Sequence, residues 1–560
     1  MKRLIPGLAL LLAACVTAPS EPAYDTVIRG GTIYDGSGAA PYAGDVAIKG
    51  DRVVWVGPRL DGRGRTEVDA RGLAVAPGFI NMLSWGTESL IVDGRGQSDI
   101  RQGVTLEVMG EGMSMGPWNE AMKKSELEQQ GDLRFPITWT TLGEYLEMLE
   151  KKGVSPNVAS FVGATTVRVH ELGERDVDPT PEQLRRMRAL VRQAMNEGAL
   201  GVGSSLIYAP ASFAETPELV AITTEAAKCG GMYISHMRDE GPRLLEAIDE
   251  LIEISQKSGA RAEIYHFKQS GRSNWGKIDA AITRVEAARK RGLKITADMY
   301  TYPASSTGLD AAMPLWVQEG GIDAWVARLK DPATRSRALA EMRGPKATEN
   351  GQLVVQEPDK VLLLGFKTER LKPLAGKTLA EVAKARGKSP EETAADLVVE
   401  DHTRIQVAYF GMSEDNVRRA VALPWMSFGS DGAALASEGV FVKSSTHPRA
   451  YGNFARLLGR YVRDEKRLSL QEAVRKLTSL PASNLGLVDR GALRPNYFAD
   501  IAIFDPATIR DNATFEKPHQ YATGVRHVFV NGVQVLRDGE HTGATPGRAV
   551  RGPGWRKCAA

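Results

Sequence analysis

The sequence predicts an α/β chain: a (β/α)8 TIM-like barrel joined to a β-sandwich built from both chain ends, with a subdomain inserted late in the barrel. Three observations predict it. Short apolar β-type runs alternate with amphipathic helical stretches through the middle of the chain. Turn-rich, strand-like texture occurs at both ends, and one late connection is far too long for a single crossover.

The first element is a targeting segment. MKRLIPGLALLLAA (1–14) has a basic start and an apolar run too short to span a bilayer stably. It leads through Leu12-Ala13-Ala14 to Cys15, small residues before a cysteine that resemble a lipoprotein box. The expectation is cleavage before Cys15, lipid on its thiol and a short tether over 15–23. The mature chain would then be exported to the bacterial cell envelope, its periplasmic face above all. It would meet the membrane through that lipid anchor only. An ordinary signal peptide with an incidental cysteine is the alternative.

Residues 24–75 carry alternating runs punctuated by Gly30-Gly31 and Gly50-Asp51, which suits hairpins. The texture returns over 490–552, where ADIAIFD alternates and HVFVNGVQVL places Asn531-Gly532 between two strands. These two segments are predicted to form one composite sandwich.

Residues 76–489 form the predicted barrel. Its strand candidates are 79–83, 104–110, 157–163, 199–205, 232–236, 262–266, 294–300 and 425–431. PEQLRRMRALVRQAMNEG (181–198) and GPRLLEAIDELIEISQKSG (241–259) read as intervening helices, and the insertion falls at about 305–420. A chain of 560 residues with a formal charge of +3 offers no electrostatic footprint for nucleic acid. Beyond Cys15 only Cys229 and Cys558 remain, too few for a disulfide framework, and Cys229 reads as a buried structural thiol at a helix end.

Sites in such barrels lie at the C-terminal ends of the strands. Those ends carry Glu111, His236, His266, Asp298 and Asp431. His236 and His266 are one strand–helix repeat apart, so adjacent parallel strands present both imidazoles to one mouth. Two imidazoles and a carboxylate match a catalytic zinc with one position open to water. A further carboxylate is needed to take a proton from that water and pass it to a leaving nitrogen. Asp431, in FGSDG, has the type and place for this. Asp298 is read first as a structural acceptor, with metal contact as the alternative. His170, His402, His519, His527 and His541 are assigned no role.

Several longer motifs resemble one family. YISHMRDEG (233–241), IYHFKQSGRSNWG (264–276), ADMYTYPASST (297–307), GSDG (429–432), HPRAYGNFARLLGRYVR (447–463) and KLTSLPASNLGLVDRGALRPNYFADIAIFDP (476–506) resemble the D-aminoacylase branch of the amidohydrolase superfamily, N-acyl-D-amino-acid deacylases. The resemblance runs from about 24 to 552. It implies one zinc held by His236, His266 and Glu111, the last standing at or next to the position of the family's cysteine ligand. It implies Asp431 as general base, Lys268 and Arg449 as holders of the substrate carboxylate, and Tyr300 or Tyr302 as a substrate contact. The implied partner is a small N-acyl amino acid or short peptide.

The sequence departs from that pattern at APGFINMLSWG (76–86). Where the superfamily places a His-x-His pair, this chain has Leu83-Ser84-Trp85. The expectation is that Leu83 and Trp85 fill a second metal position with apolar bulk. A stretch longer than the family's, ALASEGVFVKSST, lengthens a loop over the mouth. Two other readings stand beside the deacylase: a binding lipoprotein that kept the fold and lost its chemistry, and a hydrolase of a cyclic or peptide amide.

Overall fold

The computed structural model describes residues 23–558; the predicted signal segment and Cys15 lie outside them. The N-terminal strands are β1 (Tyr24–Ile33), β2 (Tyr42–Lys49), β3 (Arg52–Gly57), β4 (Gly64–Asp69) and β5 (Ala74–Pro77). They join four strands from the other chain end in one nine-stranded sheet. Strand β1 pairs with β2 along one edge and with β4 and β5 along the other. The inner face buries Ile28, Val46, Ile48, Val75, Ile501 and Phe529, so alternation along each strand feeds a core shared by both termini.

The barrel follows. Its strands are β6 (Phe79–Asn81), β7 (Val104–Met109), β8 (Asn157–Ser160) with its continuation β9 (Val162–Gly163), β10 (Gly201–Ser205), β11 (Met232–His236), β12 (Ala262–Ile264) and β13 (Ile295–Met299). Strands β6, β7 and β8 pair in parallel, as do β9 through β13. The break in the third strand falls at Phe161, whose N–H reaches back to Met109 O.

The chain then leaves the barrel. Strands β14 (Ser305–Gly308), β15 (Val361–Gly365) and β16 (Gln406–Tyr409) form a separate antiparallel sheet under helices. Trp325, Leu329, Leu339, Leu363, Leu397 and Val407 give this insert its own apolar core. Strand β17 (Met426–Phe428) returns beside β13. Bonds from Met82 N to Phe428 O, Asp431 N to Leu83 O and Trp85 N to Gly432 O tie it to β6 and close the barrel. Apolar side chains, among them Ile80, Leu83, Leu106, Val108, Ile234 and Tyr265, fill the interior. The predicted α/β barrel with an appended β domain is therefore the architecture found.

After β18 (Ile501–Phe504), β19 (Val525–Val530), β20 (Val533–Arg537) and β21 (Glu540–His541), the C-terminal segment runs back along the barrel. There Val158 N donates to Arg548 O, and Cys558 forms a disulfide with Cys229 across 329 residues of sequence. The reading of Cys229 as a free buried thiol is thus corrected. The two cysteines are distant in the chain, and only the path of the C-terminal segment brings them together. Among the described residues no helix is long and apolar enough to cross a membrane.

Candidate metal centre and active site

Glu111 follows β7 in a loop that only glycine permits. Gly110 and Gly112 both have left-handed φ, +103° and +67°. A Cβ at Gly110 would lie 2.4 Å from Phe161 O, and one at Gly112 would lie 2.0 Å from Ser205 Oγ. The loop is pressed against neighbouring strands, and that pressure aims the Glu111 carboxylate across the barrel mouth. His236 is the last residue of β11. The strand expected over 262–266 ends at Ile264, and His266 turns away with φ +36°. Asp431 is likewise left-handed, at φ +48°. Such strained conformations in non-glycine residues gather where surrounding structure holds a functional side chain in place.

The three side chains converge. Glu111 Oε1 is 3.0 Å from His236 Nδ1 and 3.0 Å from His266 Nε2. All three residues are buried, and their candidate ligand atoms lie within 4.8 Å of one another. Glu240 closes the far side, with Oε1 3.0 Å from His266 Nδ1 and Oε2 3.5 Å from His236 Nε2. Lys268 Nζ donates to Glu240 Oε1 at 2.6 Å and stands 2.7 Å from His266 Nδ1.

Electrostatics fit this cluster to a cation. Burial opposes charge on Glu111, but hydrogen bonds from His236 and His266 outweigh it and hold the carboxyl below its usual range. Burial also opposes charge on Glu240, and Lys268 with the two imidazoles keeps it ionised. Burial and Lys268 disfavour a proton on His266, yet Glu240 and Glu111 push its pKa up to about 10. His236, by contrast, is lowered, chiefly by burial. Two buried carboxylates flanking two imidazoles thus favour positive charge between them. One oxygen and two ring nitrogens are a donor set that suits zinc.

Asp431 stands beside this cluster. Burial raises its pKa, while Arg449 counteracts part of the rise. Arg449 Nη1 lies 2.9 Å from Asp431 Oδ2, and Arg449 is the first residue of the helix Arg449–Arg456. Arg449 Nε and Nη1 are both buried and make no hydrogen bond in the protein, so Nη1 meets Asp431 as an ion pair without hydrogen-bond geometry. Both cations expected to hold a substrate carboxylate are therefore engaged by internal carboxylates, Lys268 by Glu240 and Arg449 by Asp431.

The two tyrosines separate clearly. Tyr300 lies under Arg449, whose guanidinium carbon is 4.5 Å from the ring centroid, and near His266, 6.3 Å between ring centres. Tyr302 donates its hydroxyl to Asp511 and packs beneath Arg456, so it is not brought to the cluster. Asp298 accepts from the His266 backbone N–H at 2.8 Å, the structural role expected first.

Two features escaped the sequence. Glu240 lies inside the SHMRDEG motif, four residues past His236, where the repeat of acidic residues was its only signal. Trp85 was expected to act as apolar bulk. Instead its Nε1–H points at Glu111 Oε2 and Asp431 Oδ1, 3.1 Å from each. Leu83 is fully buried among the barrel's interior side chains.

Comparison with known proteins agrees with this geometry. Residues 66–536 match the model of the amidohydrolase family. D-aminoacylase of Alcaligenes xylosoxydans xylosoxydans is 32% identical over 539 residues, covering 95% of this chain and 98% of that one. N-acyl-D-glutamate deacylase from Bordetella bronchiseptica, solved with zinc and a phosphonate mimic of the tetrahedral intermediate, superposes with a TM-score of 0.79. It is 27% identical, over 94% of this chain and 99% of that one. A D-aminoacylase structure described by one-metal activation and second-metal attenuation superposes with a TM-score of 0.78 at 30% identity, over 94% and 99% of the two chains.

Proposed function

The chain belongs to the amidohydrolase family, and on that premise we propose that it is a one-zinc hydrolase of the amide bond of N-acyl-D-amino acids. The observation that carries this is the convergence of Glu111 Oε1 on His236 and His266 beside Asp431. The relatives named for D-aminoacylase and N-acyl-D-glutamate deacylase support the substrate class, and the one-metal activation described for D-aminoacylase supports the metal count.

Glu111, His236 and His266 would hold the metal. When bound there, zinc supplies a Lewis acid that polarises an acyl carbonyl and makes water acidic near neutral pH. Asp431 accepts the proton of the attacking water and returns it to the departing amine. Its burial raises the proton affinity that this return requires. Arg449, with a buried unpaired Nε, receives the substrate carboxylate while staying against Asp431. Lys268 adds positive charge beside Glu240, and both cations lie over the Tyr300 ring.

The test is elemental analysis of purified protein together with turnover of paired D and L N-acyl amino acids. The expected result is about one zinc and D-selective hydrolysis, with His236→Ala losing both metal and activity. Full activity in metal-free protein would overturn the mechanism. Ligand binding with no turnover across the panel would favour the degenerate binding lipoprotein.

We further propose that the mature chain is an exported lipoprotein anchored through Cys15. The basic and apolar start before Cys15 supports this, as does the Cys229–Cys558 disulfide, which suits an oxidising compartment. Cell fractionation with palmitate labelling tests it: Cys15→Ser should lose the label and appear in the soluble fraction. A labelled Cys15→Ser protein, or an unlabelled parent, would refute it.

A further inference from the structure

Each oxygen of the two site carboxylates Glu111 and Asp431 has an assigned neighbour. Glu111 Oε1 faces the two imidazoles, and Asp431 Oδ2 faces Arg449. The remaining pair, Glu111 Oε2 and Asp431 Oδ1, share one donor, the Trp85 indole N–H, 3.1 Å from each. Two carboxylate oxygens turned toward one point are where a second cation would bridge them. An indole N–H donates but has no lone pair in the ring plane, so it satisfies both oxygens and cannot ligate a metal.

The backbone fixes the indole there. Trp85 N donates to Gly432 O, Ser84 N to Val108 O and Asp431 N to Leu83 O, so the ends of β6 and β17 hold one another in register. Leu83, the other residue where a metal-binding pair would stand, is sealed in the barrel interior, and a Cβ on Gly429 would come 2.7 Å from its Cβ. Neither position offers a ligand atom. Trp85 is nonetheless 39% exposed, so its ring is not there merely to fill a core.

We propose that Trp85 is a positioning residue that takes the place of a second metal ion, its indole N–H orienting Glu111 toward the histidines and Asp431 toward the substrate while excluding a second cation. The proposal rests on the one-zinc reading above. A shared N–H bonds each oxygen weakly, so it orients Asp431 without removing its capacity to accept a proton. The centre is thereby limited to one metal by a residue within the chain.

Zinc binding to metal-stripped protein provides the test, measured by calorimetry and by competition with a chromophoric chelator, with manganese resonance spectra as a second readout. The parent should bind one equivalent. Trp85→Phe keeps the ring and loses the donor; it should bind one equivalent 10- to 100-fold more weakly, the usual loss when a ligand's hydrogen-bond partner is removed. Trp85→His supplies a ligand atom beside the two carboxylate oxygens. It should bind two equivalents and give the exchange-coupled spectrum of a manganese pair. Unchanged zinc affinity in Trp85→Phe, or a single equivalent in a Trp85→His protein whose circular dichroism matches the parent, overturns the proposal while leaving the one-zinc reading intact. A parent that binds no zinc overturns both.

Discussion

Replacing Glu240 with Gln isolates the carboxylate behind the two histidines. It keeps the shape and an acceptor oxygen but removes the charge. Lys268 Nζ lies 2.6 Å from Glu240 Oε1; at an effective dielectric of about 20 the gross attraction is roughly 6 kcal/mol. Desolvation of the two buried ions offsets most of it. What the variant exposes is the cost of a buried ammonium without its counter-charge, about 3–5 kcal/mol of stability. The second effect falls on the metal. Glu240 faces His266 Nδ1 at 3.0 Å and His236 Nε2 at 3.5 Å, so it is placed to orient both ligand rings. Losing it should weaken zinc binding 10- to 100-fold, or about 1.4–2.7 kcal/mol. Thermal unfolding of the metal-free protein reads the first effect and chelator competition reads the second. The double variant Glu240→Gln/Lys268→Met should recover stability without recovering zinc affinity, because the unpaired cation is gone while the histidines still lack their partner. Parent-like zinc affinity in Glu240→Gln would refute the reasoning.

Two further outcomes follow from the same geometry. Asp431 acts as an ionised base whose folded pKa is raised by burial and held down by Arg449, so kcat/KM should fall as pH drops through that pKa. Arg449→Met removes the opposing charge and should move this acid limb to higher pH, with Arg449→Lys moving it less; a limb that stays put would show that Arg449 does not act on Asp431. The Cys229–Cys558 disulfide closes a loop of 329 residues and should contribute about 2–5 kcal/mol. Dithiothreitol should lower the melting temperature of the parent and leave that of Cys558→Ser unchanged; equal lowering in both would remove the disulfide as the cause.

Much of the site was legible because barrel chemistry is local in sequence. Strand ends carry the functional side chains, so finding where an apolar run stopped also located Glu111, His236, His266 and Asp431. The unread parts depended on direction. A tryptophan counts as apolar bulk in a hydropathy pattern, whereas its one polar atom matters only once its position is known. Lys268 and Arg449 were expected to hold a substrate carboxylate, but their partners Glu240 and Asp431 come from other strand ends. Tyr300 and Tyr302 sit two residues apart in the same motif, and only packing against Arg449 or Arg456 distinguishes them.

The amino-acid order by itself determined the alternation of strands and helices, the composite β domain, the inserted subdomain and the residue types at the barrel mouth. These follow from periodicity, turn chemistry and chain length, all of which act over a few residues. Tertiary structure alone decided which oxygen of Glu111 faces the histidines, that Glu240 stands behind them, that Cys558 reaches Cys229 and that Trp85 joins two carboxylates. Each depends on a long-range approach, from Gly110 against Phe161 and Gly112 against Ser205 to Asp431 facing Trp85 across 346 residues of sequence. Such approaches are set by the close packing of the whole barrel, and no window of sequence contains them.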